Sequence, residues 1–144
     1  MYKGVYVLLI NTESGSIKAG ALGNIPVNRG WYAYVGSALG SGGFARVRRH
    51  IQLSREKTGK THWHIDNLLI HPESRLRRAY CQRTAKRTEC ITASCMSGEV
   101  VIGFGSSDCS CPGHLFFYPS DPHEEIFQIL TGQDTGEVSV LDVR

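Results

Sequence analysis

The first part of the chain alternates between apolar runs and clusters of turn-forming residues. Residues 4–10 form a continuous apolar run that ends at a polar cluster over 11–15. This run predicts a first strand, and its continuity indicates a central position in the sheet. Residues 17–22 predict a short accessory strand, residues 28–30 a turn, and residues 31–36 a strand rich in aromatic side chains. The two longer strands are expected to form an antiparallel pair.

The pattern then changes to helical spacing after the glycine-rich residues 40–43. Phe44, Val47 and Ile51, with Leu53 close by, predict a helix over about residues 43–55. The predicted fold class is therefore α/β (α+β), with a small, mostly antiparallel central sheet flanked by helices. The further predicted elements are helices over 62–69, 87–96 and 121–130, strands over 75–82, 100–103 and 114–118, and a β-like tail over 138–143.

Length and charge refine this picture without fixing a function. The 144 residues fit one domain. The formal net charge is only +3, but 12 of the 16 basic residues lie in two segments, 46–60 and 75–87. Such segments form either solvated faces or a surface for nucleic acid, and the charge alone does not decide between them.

No segment predicts export or membrane insertion. The N-terminal apolar run is much shorter than the roughly 18 residues that span a bilayer, and no signal-peptide cleavage pattern follows it. A cytoplasmic protein without membrane contact is expected. Because the five cysteines are odd in number and no secretion signal accompanies them, most are expected to be reduced thiols.

An ordered set of residues on these elements resembles the GIY-YIG nucleases. Gly4-Val5-Tyr6 lies on the first predicted strand and Tyr34-Val35-Gly36 on the aromatic strand. Arg46 and His50 stand one turn apart on the basic helix, and Glu89 lies on a later helix. Each tripeptide alone is a weak match, whereas the ordered set is much more specific. The resemblance covers roughly residues 3–96.

The resemblance implies a metal-dependent endonuclease that hydrolyses phosphodiester bonds in DNA, in repair or DNA processing. Arg46 would stabilise charge on the phosphate, and Glu89 would hold Mg²⁺ or Mn²⁺, which needs few protein ligands. Tyr6, Tyr34 and His50 would share the handling of the proton, in a division that the sequence leaves open. Without the resemblance, the same residues read as strand aromatics, a solvated arginine and a helix cap.

Further segments are similar to the Uri-type stand-alone branch of that family. They are residues 62–66 and 104–111, which extend the match to about residue 118. The chain then divides into a nuclease-like domain over 1–118 and a helix and strand extension over 119–144, packed on the same domain. Asp66 is expected to orient a neighbour. The residues expected to contact nucleic acid are Arg48, Arg49, Lys60, His62 and His64.

One feature departs from the family pattern. Many members carry an asparagine shortly after the metal-binding glutamate, and no asparagine follows Asn67 here. Asp108 or the serines at 106 and 107 are the candidates to replace it. Fold is therefore predicted more firmly than turnover.

A cysteine-rich segment over 108–114 raises the question of zinc. Cys109, Cys111 and His114 are suitable ligands, but their spacing is not that of a usual zinc knuckle. A fourth ligand would have to come from Cys81, Cys90 or Cys95, and the sequence does not select one. A tight glycine-rich turn near the active site is expected here, and a structural zinc ion is not.

Two other classes of function compete with the nuclease hypothesis. The first is a non-catalytic nucleic-acid-binding module that keeps the fold and relies on phosphate contacts. The second is a protein-interaction adaptor, which would leave Arg46, His50 and Glu89 without a purpose. Since the extension is too short to form a specificity domain, the chain would have low specificity, form a homodimer, or act beside a repair-enzyme partner.

Overall fold

A computed structural model describes residues 2–61, 63–105, 109–133 and 136–143. In this part of the chain, six strands form one antiparallel sheet in the order β6-β7-β4-β1-β5-β8, and β2 and β3 form a separate hairpin. The strands are β1 (Gly4–Thr12), β2 (Gly15–Lys18), β3 (Asn24–Val27), β4 (Gly30–Ala38), β5 (Ser74–Arg83), β6 (Glu99–Val100), β7 (Leu115–Tyr118) and β8 (Val138–Asp142). The helices are α1 (Ala45–Glu56), α2 (His64–Leu69), α3 (Glu89–Ser94) and α4 (His123–Thr131).

The predicted fold class is confirmed, because helices cover both faces of this sheet. Tyr6, Leu8 and Ile10 of β1 lie in one apolar core with residues of α1 and α2. Val5, Val7 and Leu9 alternate with them and belong to a second core with residues of α3 and α4. A strand covered on both faces needs apolar residues at successive positions, which explains the continuous run in β1.

Pairing of β1 with β4 brings together the two tripeptides, residues 4–6 and 34–36, that carry the resemblance. In the antiparallel register with β4, Tyr6 lies opposite Gly36 and Leu8 lies opposite Tyr34. Tyr6 and Tyr34 are therefore diagonal neighbours on the same face of the sheet. Their ring centroids are 6.4 Å apart.

Helix α1 ends at a residue that also ties it to the sheet. Lys57 caps the helix in the left-handed conformation, with a φ of 61°. Its ammonium group donates to the carbonyl oxygens of Leu69 and Ser74, at 2.8 and 2.6 Å. These bonds connect the end of α1 to α2 and β5, and so fix the helix that carries Arg46 and His50.

The extension over 119–144 adds to the same sheet and core. In it, α4 buries Ile126 and Leu130 in the second core, and β8 pairs with β5. None of the described helices has the length and apolar character needed to cross a bilayer.

Three short elements differ from the sequence prediction. The strand predicted over 17–22 ends at Lys18, because Gly20 turns the chain with a φ of 55° into a single 3-10 turn. The strand β3 is not predicted from the sequence, because it is only four residues long and contains a proline. The strand predicted over 100–103 stops at Val100, because Gly103, with a φ of 80°, belongs to a turn.

Candidate active site

A cavity of about 600 Å³ lies where β4 ends, and α1, α2 and α3 contribute to its walls. Three of the five predicted catalytic residues line it: Tyr34 from β4, Arg46 from α1 and Glu89 from α3. Trp63 and His64 at the start of α2 complete one side. The sequence set that resembles a nuclease is thus brought together in space, although its members come from three distant segments.

Tyr6 and His50, the other two predicted catalytic residues, lie just behind this wall. Both are almost fully buried, and the Tyr6 hydroxyl is 3.0 Å from His50 Nε2. The Tyr6 hydroxyl also lies against Gly36 and interacts with Arg46, and those two residues do line the cavity. Tyr6 therefore connects a buried histidine with the cavity wall.

The absence of a side chain at Gly36 makes room for the Tyr6 ring. A Cβ built at Gly36 would overlap the phenol ring and hydroxyl of Tyr6 directly across the strand pair. The glycine of the Tyr34-Val35-Gly36 tripeptide and the tyrosine of the Gly4-Val5-Tyr6 tripeptide therefore form one steric unit.

Replacing Gly36 with alanine is expected to destabilise the fold by about 1–3 kcal/mol, because the buried Tyr6 ring has little space to move. Chemical denaturation measures the change. Gly42→Ala is the matched control, since a Cβ there meets no atom within 4 Å. Equal stability of the two variants would show that the Tyr6 ring adapts without cost.

A buried carboxylate from α2 lies beside the histidine. His50 Nδ1 is 3.4 Å from Asp66 Oδ1, and Asp66 is fully buried. The same carboxylate accepts hydrogen bonds from Arg49 Nη1, at 3.2 and 3.3 Å, and from the backbone N–H of Trp63, at 3.1 Å. The bond from Trp63 joins the carboxylate to the first turn of α2, so Asp66 links that turn to α1.

Burial and neighbouring groups determine the protonation states of Tyr6 and His50. Burial lowers the pKa of His50 below its ordinary value, and the hydrogen bond to Asp66 opposes this shift without cancelling it. Burial, followed by the neighbouring Tyr34, raises the pKa of the Tyr6 hydroxyl well above its ordinary value, and Arg46 opposes that shift. At neutral pH, Tyr6 is thus a phenol that donates to Nε2 of a neutral His50, whose Nδ1 lies near the Asp66 carboxylate.

Arg46 is held at the cavity wall by contacts on two sides. Its Nη1 donates to the carbonyl oxygen of Ser37 at 2.7 Å, and its guanidinium lies 4.6 Å from the centroid of Trp63. Arg49 also packs on Trp63, at 5.1 Å. Stacking on one indole restricts both guanidinium groups and holds the planar group of Arg46 beside the cavity.

Glu89, the first residue of α3, offers a carboxylate oxygen for a cation. Its Oε1 is 3.7 Å from Nε of Arg87, a distant ion pair at the edge of the cavity. Its Oε2 is buried and has no hydrogen-bond partner among the described residues. An unpaired buried carboxylate oxygen is costly, and a hard divalent cation such as Mg²⁺ would satisfy it. Glu89 could therefore supply one ligand to such an ion.

The residues expected to contact nucleic acid do not all lie together. His64 lines the cavity. Arg49 contacts Trp63, another residue of the cavity wall, and donates a hydrogen bond to Asp66. Lys60 is exposed, and its carbonyl oxygen accepts from Arg49 at 2.6 Å. Arg48 is exposed and lines a separate groove away from the cavity. His62 lies outside the described residues, as do Asp108 and the serines at 106 and 107.

Trp63 and Arg87 belong to the cavity although the sequence did not single them out. Trp63 could have been recognised from the sequence, because a large aromatic side chain between two histidines, after a basic helix, is suited to stacking on arginine. Arg87 lies two residues before Glu89, where the second basic segment and the acid meet.

Of Cys81, Cys90 and Cys95, the three candidates for a fourth metal ligand, Cys90 lies beside the cysteine-rich segment. Cys90 on α3 approaches Cys109, Cys111 and His114, and their ligand atoms all lie within 4.8 Å of one another. The Cys111 thiol, together with burial, raises the pKa of Cys90 to about 12. Cys109 and His114 also line the cavity. The segment is therefore a thiol cluster at the rim of the site and not only a turn.

Fold and cavity together define a small α/β domain in which an acid, an arginine and a tyrosine line one cleft. Comparison with known families is more specific: the chain belongs to the family described as domain of unknown function DUF123, whose model matches residues 5–134. The match includes the five predicted catalytic residues and the cysteine cluster. No curated protein and no solved structure matches the chain.

Proposed function

We propose that the chain is a divalent-metal-dependent endonuclease that hydrolyses phosphodiester bonds in DNA, and that it is a Uri-type member of the GIY-YIG nucleases. One observation carries the proposal. A buried line from Asp66 through His50 to Tyr6 ends beside a cavity that Arg46 and Glu89 both line, and one carboxylate oxygen of Glu89 has no hydrogen-bond partner among the described residues. Phosphodiester hydrolysis needs a proton acceptor, a fixed positive charge and a cation ligand in one place.

Arg46 supplies the fixed charge. A phosphodiester gains negative charge on its non-bridging oxygens as the nucleophile attacks, and a planar guanidinium can donate two parallel hydrogen bonds to them. The contacts with Ser37 and Trp63 hold the group before substrate arrives. Preorganisation of this kind lowers the barrier, because the charge does not have to be reoriented during the reaction.

Tyr6 and His50 handle the proton. Since burial keeps Tyr6 protonated, a free phenolate is not the base. Instead, as water attacks the phosphorus, the Tyr6 oxygen accepts the water proton while the Tyr6 proton moves to His50 Nε2. The imidazolium that forms faces Asp66, which stabilises it. Tyr34, on the cavity wall, positions the attacking water.

Glu89 would hold the Mg²⁺ or Mn²⁺ ion. When bound, the ion would neutralise charge on the phosphate and on the leaving oxygen. A single protein carboxylate is enough for Mg²⁺, which keeps several of its waters.

The first experiment is a cleavage assay on end-labelled duplex and single-stranded DNA, with a matched RNA, in Mg²⁺ or Mn²⁺. Tyr6→Phe is expected to lower the cleavage rate by about 10²- to 10⁴-fold, because it removes only the hydroxyl that transfers the proton. Tyr32→Phe is the matched control: Tyr32 is equally buried on β4, but its hydroxyl accepts from the backbone N–H of Asn28. Its rate should change little.

Three outcomes would contradict this proposal. If wild-type protein binds DNA with a strong salt dependence but cleaves nothing in either metal, the chain is a non-catalytic binding module. If Tyr6→Phe cleaves as fast as Tyr32→Phe, the proton does not pass through Tyr6. Cleavage of the RNA in preference to both DNA substrates would correct the substrate class.

The pH profile tests the histidine separately. His50 must be neutral to accept the proton, and burial lowers its pKa, so kcat/KM should stay constant at neutral pH and fall only below about 6.5. The free energy of unfolding should fall in the same window, since the unfolded chain binds the proton more tightly there. Because Asp66 raises this pKa, Asp66→Asn should move the midpoint of the activity loss to lower pH. His123→Gln, on the far face, should leave it unmoved, and an upward shift in Asp66→Asn would contradict the assignment.

A further inference from the structure

A cluster of three thiols and one imidazole lies at the rim of the cavity, and its ligand atoms are close to the spacing of a tetrahedral metal site. His114 Nε2 is 3.5 Å from Cys109 Sγ and 3.9 Å from Cys90 Sγ. All pairs of ligand atoms, including those with Cys111, lie within 4.8 Å. Zinc–sulfur bonds of about 2.3 Å and zinc–nitrogen bonds of about 2.0–2.1 Å give tetrahedron edges of about 3.6–3.8 Å. A small contraction of the cluster therefore suffices.

The imidazole is already turned with its metal-binding nitrogen toward the sulfurs. His114 Nδ1 lies 3.2 Å from the carbonyl oxygen of Val35, and a carbonyl oxygen can only accept, so Nδ1 carries the proton. The Nε2 lone pair then faces Cys90 and Cys109. The backbone of His114 is held as well, by hydrogen bonds to Phe104, at 2.7 Å, and from Val35, at 2.9 Å. Histidine ligands of metals are commonly oriented by this kind of bond.

We propose that Cys90, Cys109, Cys111 and His114 bind one Zn²⁺ ion in a closed, structural site. Three thiolates and an imidazole select a borderline-soft ion such as Zn²⁺ over Mg²⁺, which prefers oxygen ligands. Three thiol protons leave to solvent as the ion binds. With four protein ligands, the ion has no position left for substrate. This site goes beyond the proposed nuclease activity and does not depend on it, and it revises the expectation from sequence that no structural zinc is present.

The ion would crosslink α3 to the connection between β6 and β7. Cys90 lies on α3, a helix of six residues, whereas Cys109 and Cys111 lie in the connection between β6 and β7, and His114 directly precedes β7. Because Glu89 is the neighbour of Cys90, the position of its carboxylate depends on where α3 is held. Zinc therefore fixes one wall of the cavity, and its removal is expected to lower the melting temperature.

The test is to measure metal content on the full chain, purified under reducing conditions, stripped with chelator and then given Zn²⁺. Wild-type protein should retain about one Zn²⁺ per chain after gel filtration. Cys90→Ser, Cys111→Ser and His114→Ala should each retain almost none. Cys95→Ser is the matched control, because Cys95 is exposed at the end of the same helix and lies outside the cluster. Glu89→Gln should keep its zinc even if all cleavage is lost.

Wild-type protein alone gives a second measurement, which holds even if the variants do not fold. Zn²⁺ should slow alkylation of Cys90, Cys109 and Cys111 at least about tenfold, as read by peptide mass spectrometry, and leave Cys95 unchanged. Co²⁺ in place of Zn²⁺ should give the intense visible absorption of tetrahedral cobalt thiolates. Failure of wild-type protein to retain Zn²⁺, equal loss of zinc in Cys95→Ser, or alkylation rates that Zn²⁺ does not change would each overturn the proposal.

Discussion

Glu89→Gln should lower the rate of Mg²⁺-dependent cleavage by about 10³-fold, or about 4 kcal/mol of transition-state stabilisation, because an amide is a poor ligand for the cation. The substitution keeps the size of the side chain and removes a charge whose Oε2 atom has no hydrogen-bond partner among the described residues. Folding stability should therefore stay the same or rise slightly. Single-turnover cleavage at saturating enzyme separates this effect from substrate binding.

Glu124→Gln is the control for the loss of one negative charge, since Glu124 is exposed in the first turn of α4. It should cleave at the wild-type rate. If Glu89→Gln keeps more than about a tenth of wild-type activity at saturating Mg²⁺, a difference of less than about 1.4 kcal/mol, the ion is not held by Glu89. Restored cleavage in excess Mn²⁺ would instead support Glu89 as a ligand whose loss weakens metal affinity.

Arg46→Lys is the second substitution with a large expected effect, even though it keeps the positive charge. Lysine cannot donate two parallel hydrogen bonds to a phosphate or stack as a planar group on Trp63, so the cleavage rate should fall by about 10²- to 10³-fold. DNA affinity should change only a few-fold, because the charge remains. Single-turnover rates and a titration of binding against salt give the two quantities.

Arg55→Lys is its matched control, because Arg55 is an exposed arginine in the last turn of the same helix. Both variants should bind DNA with similar salt dependence, and Arg55→Lys should cleave normally. A full rate for Arg46→Lys would mean that charge alone is needed at this position. An equal loss of rate in both variants would mean that α1 contributes through general phosphate contact.

Much of the fold could be predicted from local patterns. The two-sided apolar run in β1, the aromatic residues of β4 and the helical spacing of Phe44, Val47 and Ile51 each match the element that forms. These elements are long and bury well-defined faces, so pattern and structure agree. The short elements around residues 17–27 and 100–103 could not be predicted equally well, since turns at Gly20 and Gly103 decide where they end.

The candidate site could likewise be predicted where its residues lie close together in the sequence, and not where they lie far apart. Local spacing predicted that Arg46 and His50 share a helix face, and the resemblance gave the order of the set. The link from His50 to Asp66 crosses 16 residues, and the approach of Cys90 to His114 crosses 24. Contacts of this range depend on how α2 and α3 pack on the two faces of the sheet, and a local sequence pattern does not contain that information. The sequence alone therefore could not show whether Cys81, Cys90 or Cys95 is the fourth ligand.

Tyr6 and Glu89 lie on elements of different length and pairing, so we expect the two residues to lose their native positions at different stages of unfolding. Tyr6 lies on β1, which is paired along both edges and buried on both faces, so its backbone is exposed only when the whole domain unfolds. Glu89 lies on a six-residue helix between connecting segments, and we expect this helix to open at a lower free energy than β1. Local opening of α3 would then separate Glu89 from Tyr6 while β1 stays folded, and the domain would lose its proposed activity before its fold.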